Sequence, residues 1–239
     1  MYLVQLLAGS RIVLWLGLVP YVAWSKAHVW QFVTYMFLHG NLLHLAFNMY
    51  ALWVFGREVE EAWGRKAFLR FYAMTGIGAG LIHTLVTPHS LVPTIGASGA
   101  VMGVLTAFAI LYPERDITLL LFFFIPVQMK ARTMVLLFGC LSLIGGIQGS
   151  PDGVAHIAHL GGMLVGWLYL KRGFLLPSAS PWKIRWKWKA AQKKRDERNR
   201  IEDTVNQILD KANAVGMNRL SWKERRLLEK ASKRLRKQP

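Results

Sequence analysis

Residues 97–112 read ASGAVMGVLTAFAILY, an apolar stretch without charge that ends at Pro113. A membrane-crossing helix needs roughly 20 mostly apolar residues, and several other windows of the sequence have the same character. They are residues 41–56, 67–86, 131–147 and 153–170. Residues 1–24, which Gly9 and Pro20 interrupt, are interpreted as a shortened first span, with a signal peptide as the alternative. We therefore predict an all-α membrane protein.

The composition supports the same class of protein. Of 239 residues, 53% are hydrophobic, and the mean hydropathy of +0.27 is high for a soluble domain. Ten Trp also suit a bilayer, because indole rings favour the membrane interface. Cys140 is the only cysteine, which excludes an intramolecular disulfide and a thiolate metal cluster.

Charge is concentrated near the C-terminus. Residues 1–170 carry nine Lys and Arg against six Asp and Glu, whereas residues 171–239 carry 21 against seven. This segregation favours a membrane body with a basic tail over a nucleic-acid-binding protein. We predict three parts: a transmembrane domain over residues 1–172, a basic juxtamembrane linker over 173–200 and a small cytoplasmic helical hairpin over 201–239.

The loops between the predicted spans differ in their content of basic residues. Residues 57–66 and 113–132 each contain three Lys or Arg, whereas residues 87–96 and 148–155 contain none. Basic loops remain on the cytoplasmic side of a membrane. We therefore expect a multi-pass membrane protein with its C-terminus in the cytoplasm.

One apolar segment does not fit the pattern of spans. Residues 117–127 are too few to cross a bilayer, and Pro126 interrupts them. We interpret this segment as interfacial or as a lead-in to the next span.

Polar residues inside membrane spans are costly, so each is a functional candidate. Ser98 opens a span between Ala97 and Gly99, small residues that let a substrate backbone approach its hydroxyl. His159 lies near the start of the last span, and a Ser nucleophile needs such a base beside it. Each residue alone also fits a packing role. Both residues lie below the same predicted surface. No Asp or Glu lies inside the apolar spans, and Asp152, the nearest acid to His159, is interpreted as a loop residue. We therefore expect a dyad without an orienting carboxylate.

The last span also carries a motif for close helix packing. Gly162 and Gly166 form a G-x-x-x-G pair, which lets a neighbouring helix approach. His159 lies one turn away on an adjacent face, where it can reach the neighbouring helix at hydrogen-bonding distance.

Further polar residues occur in the other spans. His44 and Asn48 are four residues apart and share one helical face. Both can donate hydrogen bonds to an oxyanion, and the alternative is a polar pair that joins two helices. His156 is the rival base, ranked below His159 because it lies nearer the loop. No H-E-x-x-H spacing occurs, so we expect no metal.

The tail combines basic residues with Trp and then becomes helical in pattern. The linker is expected to be attracted to anionic lipid at about 1 kcal/mol per basic residue, with a solvated linker as the alternative. A capping box from Ser221 to Glu224 predicts the start of the second helix. The first helix has an apolar face made of Ile201, Val205, Ile208, Leu209 and Ala212.

Taken together, these residues resemble the rhomboid family of intramembrane serine proteases. Residues 37–48, FLHGNLLHLAFN, are similar to the family's H-x-x-x-x-H-x-x-x-N segment. Residues 96–99 resemble its G-x-S-G nucleophile motif, and residues 158–162 with Gly166 resemble its final helix. The motifs occur in the family's order, and the similarity extends over residues 30–170.

The resemblance is to the bacterial type with a basic tail, and it implies a location in the bacterial inner membrane. It also implies a six-helix bundle whose water-filled cavity opens to the extracytoplasmic side. It implies Ser98 as nucleophile, His159 as base, and His44 and Asn48 as the oxyanion site. It implies single-pass membrane proteins as substrates, cleaved through an acyl-enzyme, and no cofactor. Gln31 stands where the family often has Arg, so we expect the loop after the first span to be held differently.

Other functions remain open at this point. A rhomboid-like pseudoprotease would bind membrane helices without cleaving them, although retention of Ser98 and His159 disfavours it. A small-molecule transporter would favour internal repeats, and the sequence shows no repeat. No motif of the tail reads bases, so we expect no nucleic-acid partner.

Overall fold

The computed structural model describes most of the N-terminal body and shorter parts of the tail. The described residues are 5, 10–121, 125–150, 154–171, 190, 193, 204–212, 216, 219–222 and 224–228. The chain divides into two compact units, Met1–Arg185 and Trp186–Pro239. Asp152 and most of the predicted linker over 173–200 lie outside the described residues.

The first unit is mostly helical, as predicted. Two short turns of other helix types interrupt the α-helices: a 3₁₀ turn over Tyr35–Phe37 and a π-helical turn over Leu52–Gly56. The α-helices are α1 Ser10–Leu16, α2 Pro20–Ser25, α3 Gln31–Thr34, α4 Leu42–Ala51, α5 Arg57–Trp63, α6 Arg65–Val86, α7 Ser98–Leu111, α8 Ala131–Ile147 and α9 His156–Lys171.

Helices occupy the five clearest predicted spans, but four of these helices are shorter than the roughly 20 residues that a membrane span needs. Helices α4, α7, α8 and α9 contain 10, 14, 17 and 16 residues. Helix α6 has 22 residues, and Arg65 and Lys66 lie in its first turn. Within the described residues, none of the helices combines the length and apolar character needed to cross a bilayer. The count of six spanning helices stays a prediction.

The chain turns sharply at Gly64, inside the predicted loop over residues 57–66. This prediction is wrong in detail, because α5 extends to Trp63 and α6 begins at Arg65. Gly64 has a φ of 82°, a left-handed conformation that glycine adopts without steric cost. A single glycine therefore replaces a loop at this corner.

An ion pair connects this corner to the chain after α7. The two carboxylate oxygens of Glu58, in α5, accept hydrogen bonds from the guanidinium of Arg115 at 2.8 and 3.0 Å. Such a bidentate pair has a defined geometry as well as opposite charges.

A two-stranded antiparallel hairpin follows α7 and is an exception to the all-α prediction. Strands β1, Asp116–Leu121, and β2, Ile125–Lys130, pair so that Asp116 is opposite Lys130. The two side chains form an ion pair of 2.7 Å. The sequence did not predict strands here. Pro126 cannot continue a helix, and the β-branched residues of this segment favour strands. The interfacial location of the segment stays a prediction.

Helices α6, α7 and α9 pack together through small residues. A Cβ built on Gly162 of α9 would overlap the carbonyl oxygen of Gly99 in α7. One turn later, a Cβ on Gly166 would lie 3.1 Å from the carbonyl oxygen of Gly103. A Cβ on Gly103 would in turn lie 2.6 Å from the Cβ of Thr75 in α6. The close helix approach predicted from G-x-x-x-G is confirmed.

In the second unit, residues 204–212 form a helix and residues 224–228 are also helical. Ile208, Ala212 and Leu220 are buried and pack with Leu227 and Leu228. These contacts give the tail a small apolar core of its own. Of the other residues on the predicted apolar face, Leu209 is 44% exposed and Ile201 lies outside the described residues.

The capping box predicted at Ser221 is confirmed. Its Oγ accepts a hydrogen bond from the Glu224 N–H at 3.3 Å, and the Glu224 carboxylate accepts one from the Ser221 N–H at 2.7 Å. Lys211 donates to the other carboxylate oxygen at 2.8 Å. The hydrogen bond from Lys211, and then those from Ser221, lower the pKa of Glu224 from 4.5 to about 2.

Gly162→Ala is expected to lower the free energy of unfolding by roughly 1–3 kcal/mol, because its methyl group would overlap backbone that cannot rotate away. Gly139→Ala is the matched control, since its Cβ would meet the flexible end of Met163 at 3.2 Å. Unfolding of both variants in detergent, followed by circular dichroism, gives the comparison. Equal losses of stability in the two variants would contradict the backbone contact.

The carboxylate of Glu224 is expected to stabilise the tail above about pH 4.5 and to lose this contribution as the pH falls toward 2, because its pKa is lower in the folded state. A carbon-detected NMR titration of Glu224 in the full chain should give a midpoint near 2. Lys211→Met should raise the midpoint, whereas Lys193→Met in the same tail should not. A wild-type midpoint near 4.5 would show that the hydrogen bonds are absent.

Candidate active site

Ser98 is the first residue of α7, and the turn before it depends on glycine. Gly96 has a φ of 122°, which residues with a side chain rarely adopt, and its N–H donates to the carbonyl oxygen of Tyr35 at 2.9 Å. A Cβ built on Gly96 would lie 2.8 Å from Nε2 of His44 and 3.8 Å from Oγ of Ser98. Both the backbone conformation and the space at this position therefore require glycine.

His159 lies in the first turn of α9 and meets Ser98. Its Nε2 is 2.8 Å from Oγ of Ser98, a distance suited to a hydrogen bond and to proton transfer. Gly162, three residues later, is the position at which α9 touches α7. Both side chains of the pair are partly buried, so that they remain accessible from one side.

His156 lies against a different helix. Its imidazole packs on Gly145 of α8, where an added Cβ would overlap the ring. The rings of His156 and His159 are 6.0 Å apart between centroids and nearly perpendicular, at 82°. The geometry thus pairs Ser98 with His159 and directs His156 toward α8.

His44 lies in the first turn of α4, close to the turn that precedes Ser98. Its backbone N–H donates to Oδ1 of the N-cap residue Asn41 at 2.8 Å. The N–H of Gly40 lies 3.5 Å from Nδ1 of His44, at the long limit of a hydrogen bond. An acceptor at Nδ1 leaves the ring proton on Nε2, the nitrogen nearest Gly96. His44 therefore offers a donor toward this turn.

Asn48 follows His44 by one helical turn on the same face of α4. Its side chain is 5% exposed, and within the described residues its Nδ2 is buried without a hydrogen-bond partner. Buried polar atoms of folded proteins nearly always have a partner. Asn48 thus has a donor that no acceptor in the described part of the chain uses.

The histidines near the start of α4, His39 and His44, raise the question of metal binding. The ring of His39 packs edge-on against that of His44, with centroids 5.2 Å apart. In the described ranges, no three His, Cys, Asp or Glu side chains converge to hold a metal. The candidate side chains are the hydroxyl of Ser98, the imidazoles of His44 and His159 and the amide of Asn48.

Tyr35, which the sequence did not single out, supports the turn at Gly96. Tyr35 is 1% exposed, and its phenol donates to the carbonyl oxygen of Gly76 in α6 at 2.7 Å. Burial raises the pKa of Tyr35, so its phenol remains a protonated donor. No short motif marks this role, because any residue can offer a backbone carbonyl to Gly96. A Tyr next to the apolar Met36-Phe37-Leu38 run was the one available signal.

Gln31, which stands at a departure from the family pattern, is fully buried at the start of α3. Its side-chain oxygen accepts from the Val19 N–H at 3.0 Å, and its amide donates to the carbonyl oxygens of Leu14 and Trp15 at 3.3 and 3.4 Å. An amide supplies both a donor and acceptors, so Gln31 can hold two parts of the preceding segment together.

A family model described as a Rhomboid domain matches residues 26–175. The chain belongs to the rhomboid family. The matched range includes every residue of the candidate site, and the predicted resemblance is confirmed. Rhomboid proteins are membrane proteins, and the family includes intramembrane proteases.

Several curated rhomboid proteins are similar to this chain. Rhomboid-like protein 11, chloroplastic, of Arabidopsis thaliana is 39% identical over 158 residues, 63% of this chain and 55% of that protein. Rhomboid protease AarA of Providencia stuartii is 32% identical over 164 residues, 62% of this chain and 57% of that protein. Presenilin-associated rhomboid-like protein A, mitochondrial, of Danio rerio is 32% identical over 156 residues, 62% and 39% of the two chains. The rhomboid chain described here spans about half the length of these relatives.

His159→Ala is expected to slow the reaction of Ser98 with a fluorophosphonate probe by at least about 10²-fold, because general-base assistance contributes that much or more. His156→Ala is expected to react at nearly the wild-type rate, because its ring lies on Gly145. Rates of probe incorporation, read by intact-mass spectrometry of the purified protein, measure both effects. A larger loss in His156→Ala than in His159→Ala would reverse the assignment.

Proposed function

We propose that this rhomboid protein is an intramembrane serine endopeptidase that cleaves single-pass membrane proteins with a Ser98–His159 dyad. The observation that carries the proposal is the 2.8 Å separation of Ser98 Oγ and His159 Nε2. The family membership and a relative named as a rhomboid protease support the same reaction class. No cofactor enters the proposed reaction.

In the first step His159 acts as general base. Its Nε2 takes the proton of Ser98 as Oγ attacks the carbonyl carbon of the substrate peptide bond. The carbon–oxygen double bond opens and leaves a negative charge on the carbonyl oxygen. Activation by an adjacent base is needed, because a serine hydroxyl is a weak nucleophile at neutral pH.

Three donors are available for the resulting oxyanion. They are Nε2 of His44, Nδ2 of Asn48 and the backbone N–H of Ser98 at the start of α7. The buried amide of Asn48 supports this assignment. Its Nδ2 has no hydrogen-bond partner among the described residues, so it can donate to an oxyanion in the transition state. Loss of one such donor lowers kcat by about 10²–10³ in serine proteases.

The intermediate then collapses with loss of the amine. The carbon–nitrogen bond breaks, and the imidazolium of His159 gives its proton to the leaving nitrogen, which leaves an ester on Ser98. Water, deprotonated by His159, hydrolyses this ester and regenerates the hydroxyl. Protons and charges balance over the cycle, so the dyad needs no further reactant than water.

The distribution of apolar side chains supports a membrane setting. Trp53, Leu85, Leu136 and Ile147 are 64%, 71%, 68% and 78% exposed, on or beside α4, α6 and α8. Polar Thr75, by contrast, is fully buried between helices. Large exposed apolar surfaces indicate contact with lipid or another protein. We propose that these helices lie in a bilayer.

The proposed orientation rests on the charge pattern alone. The basic loops and tail favour a C-terminus in the cytoplasm. Relatives carry chloroplastic and mitochondrial names as well as a bacterial source, so a bacterial inner membrane stays a prediction from the sequence. Attraction of the basic tail to anionic lipid is part of the same proposal.

Reporter cleavage tests the proposed activity. The full chain is reconstituted in liposomes with a tagged single-span reporter whose membrane segment contains helix-destabilising residues. Ser98→Ala and His159→Ala are each expected to lower cleavage by at least about 10³-fold, because the members of a catalytic unit act together. Ser25→Ala and His89→Ala, which alter exposed residues outside the site, are the matched controls.

The outcomes separate the candidate functions. Cleavage by the parent and both controls, but by neither site variant, supports the dyad. Cleavage that survives in both site variants would show that the dyad is wrong. A parent that binds reporters and cleaves none would favour a rhomboid-like binding protein over a protease.

A further inference from the structure

The residues just before α7 are held by a segment far upstream in sequence. Leu18 and Thr94 form an isolated antiparallel bridge, with N···O distances of 2.9 and 2.8 Å. Leu18 is completely buried and Thr94 is 8% exposed. The bridge therefore fixes the backbone at Thr94, two residues before Gly96 and four before Ser98.

The side chain of Thr94 has its own anchor. Its Oγ1 lies 2.9 Å from Nε2 of His83, in the last turn of α6, and both residues are buried. Within the described residues, Nδ1 of His83 has no hydrogen-bond partner, so the ring is held there through its contact with Thr94. A hydrogen bond shielded from water in this way is costly to leave unmade.

Different contacts position the two parts of the candidate site, the Ser98–His159 pair and the Gly96 turn beside His44. The spacing of Ser98 and His159 depends on the contact of α7 with α9 at Gly162. The position of Gly96 depends instead on Tyr35, which accepts its N–H, and on the residues of the loop before it. A shift of this loop would move Gly96 before it moved α7.

Gly96 is also the neighbour of His44. A Cβ at Gly96 would lie 2.7 Å from Cε1 of the His44 ring, so the turn and the ring are in close contact. A small displacement of the turn would therefore change where His44 Nε2 lies relative to Ser98. Misplacement by about 1 Å can cost 10²-fold in rate.

We propose that Thr94 is a positioning residue, which His83 holds through Oγ1 so that the Gly96 turn keeps the oxyanion side of the site aligned. The proposal rests on the proposed function, because alignment has a consequence for rate only if the dyad cleaves peptides. Thr94 touches neither substrate nor the reacting atoms in this assignment. It acts through Gly96 and His44.

A matched pair of variants separates the effect of the Thr94 hydroxyl from that of the rest of the side chain. Thr94→Val keeps the shape of the side chain and removes Oγ1, whereas Thr94→Ser keeps the hydroxyl and removes a methyl group. Reporter cleavage by the full chain in liposomes is expected to show a roughly 10-fold lower kcat for Thr94→Val at unchanged KM, with Thr94→Ser close to wild type. Titration with a fluorophosphonate counts the reactive sites, and Thr94→Val should retain the wild-type stoichiometry.

A second readout does not depend on activity. Hydrogen exchange of the Gly96 amide, which donates to Tyr35, is expected to be faster in Thr94→Val than in Thr94→Ser and the wild type. Combining Thr94→Val with His83→Leu should add little to the effect of Thr94→Val alone, because both changes remove one hydrogen bond.

The two proposals fail in different ways. Equal exchange of the Gly96 amide in the valine and serine variants would overturn the positioning role, whether or not any chain cleaves. The positioning role would also be overturned if the fraction of Thr94→Val chains that react with the fluorophosphonate fell by the same factor as kcat, since that pattern indicates unfolding. Failure of the proposed function would instead appear as a wild type that neither cleaves the reporter nor labels at Ser98, with the exchange result unaffected.

Discussion

The direct contact between the backbones of α7 and α9 is the constraint on which the candidate site depends. Helices that keep side chains between them lie about 8–10 Å apart, and Gly162 removes this spacer opposite the carbonyl of Gly99. His159 lies three residues before Gly162, so close approach of the two backbones carries its ring to 2.8 Å from Ser98 Oγ. Helix α6 packs against both members of this pair, against α7 at Thr75 and Gly103 and against α9 at Ala79 and Gly161. The absence of a side chain at Gly162 thus allows the approach of His159 to Ser98.

Local patterns in the sequence were sufficient to predict a large part of this arrangement. Apolar windows predicted the positions of the main helices, and the G-x-x-x-G pair predicted a close helix contact, because both depend on residues within one or two turns. The spacing of His44 and Asn48 predicted a shared face for the same reason. The preference for His159 over His156 came from depth in the span, and the rings do diverge toward α7 and α8.

Contacts between distant segments were beyond this kind of prediction. The contacts of Tyr35 with Gly96 and of Thr94 with Leu18 join residues that are 61 and 76 positions apart in sequence. Backbone groups make both contacts, so residue identity carries almost no signal. The hairpin at Pro126 was missed because a short apolar run fits a strand and a buried helix equally well until its pairing partner is known. Gly64 replaced a whole predicted loop, since one left-handed residue is enough to turn the chain.

The π-helical turn over Leu52–Gly56 changes the rotational phase of the long helix that α4 and α5 form together. Eleven residues of regular α-helix would bring Val59 to within about 20° of Asn48 around the axis. The wider turn rotates everything after it by roughly a quarter of a revolution. Asn48 and Val59, both buried, therefore lie on different faces of this helix, and the ring of Trp63 packs edge-on against Phe71 of α6. The π-helical turn thus lets the part of the helix with Asn48 and the part with Val59 orient their buried side chains independently of each other.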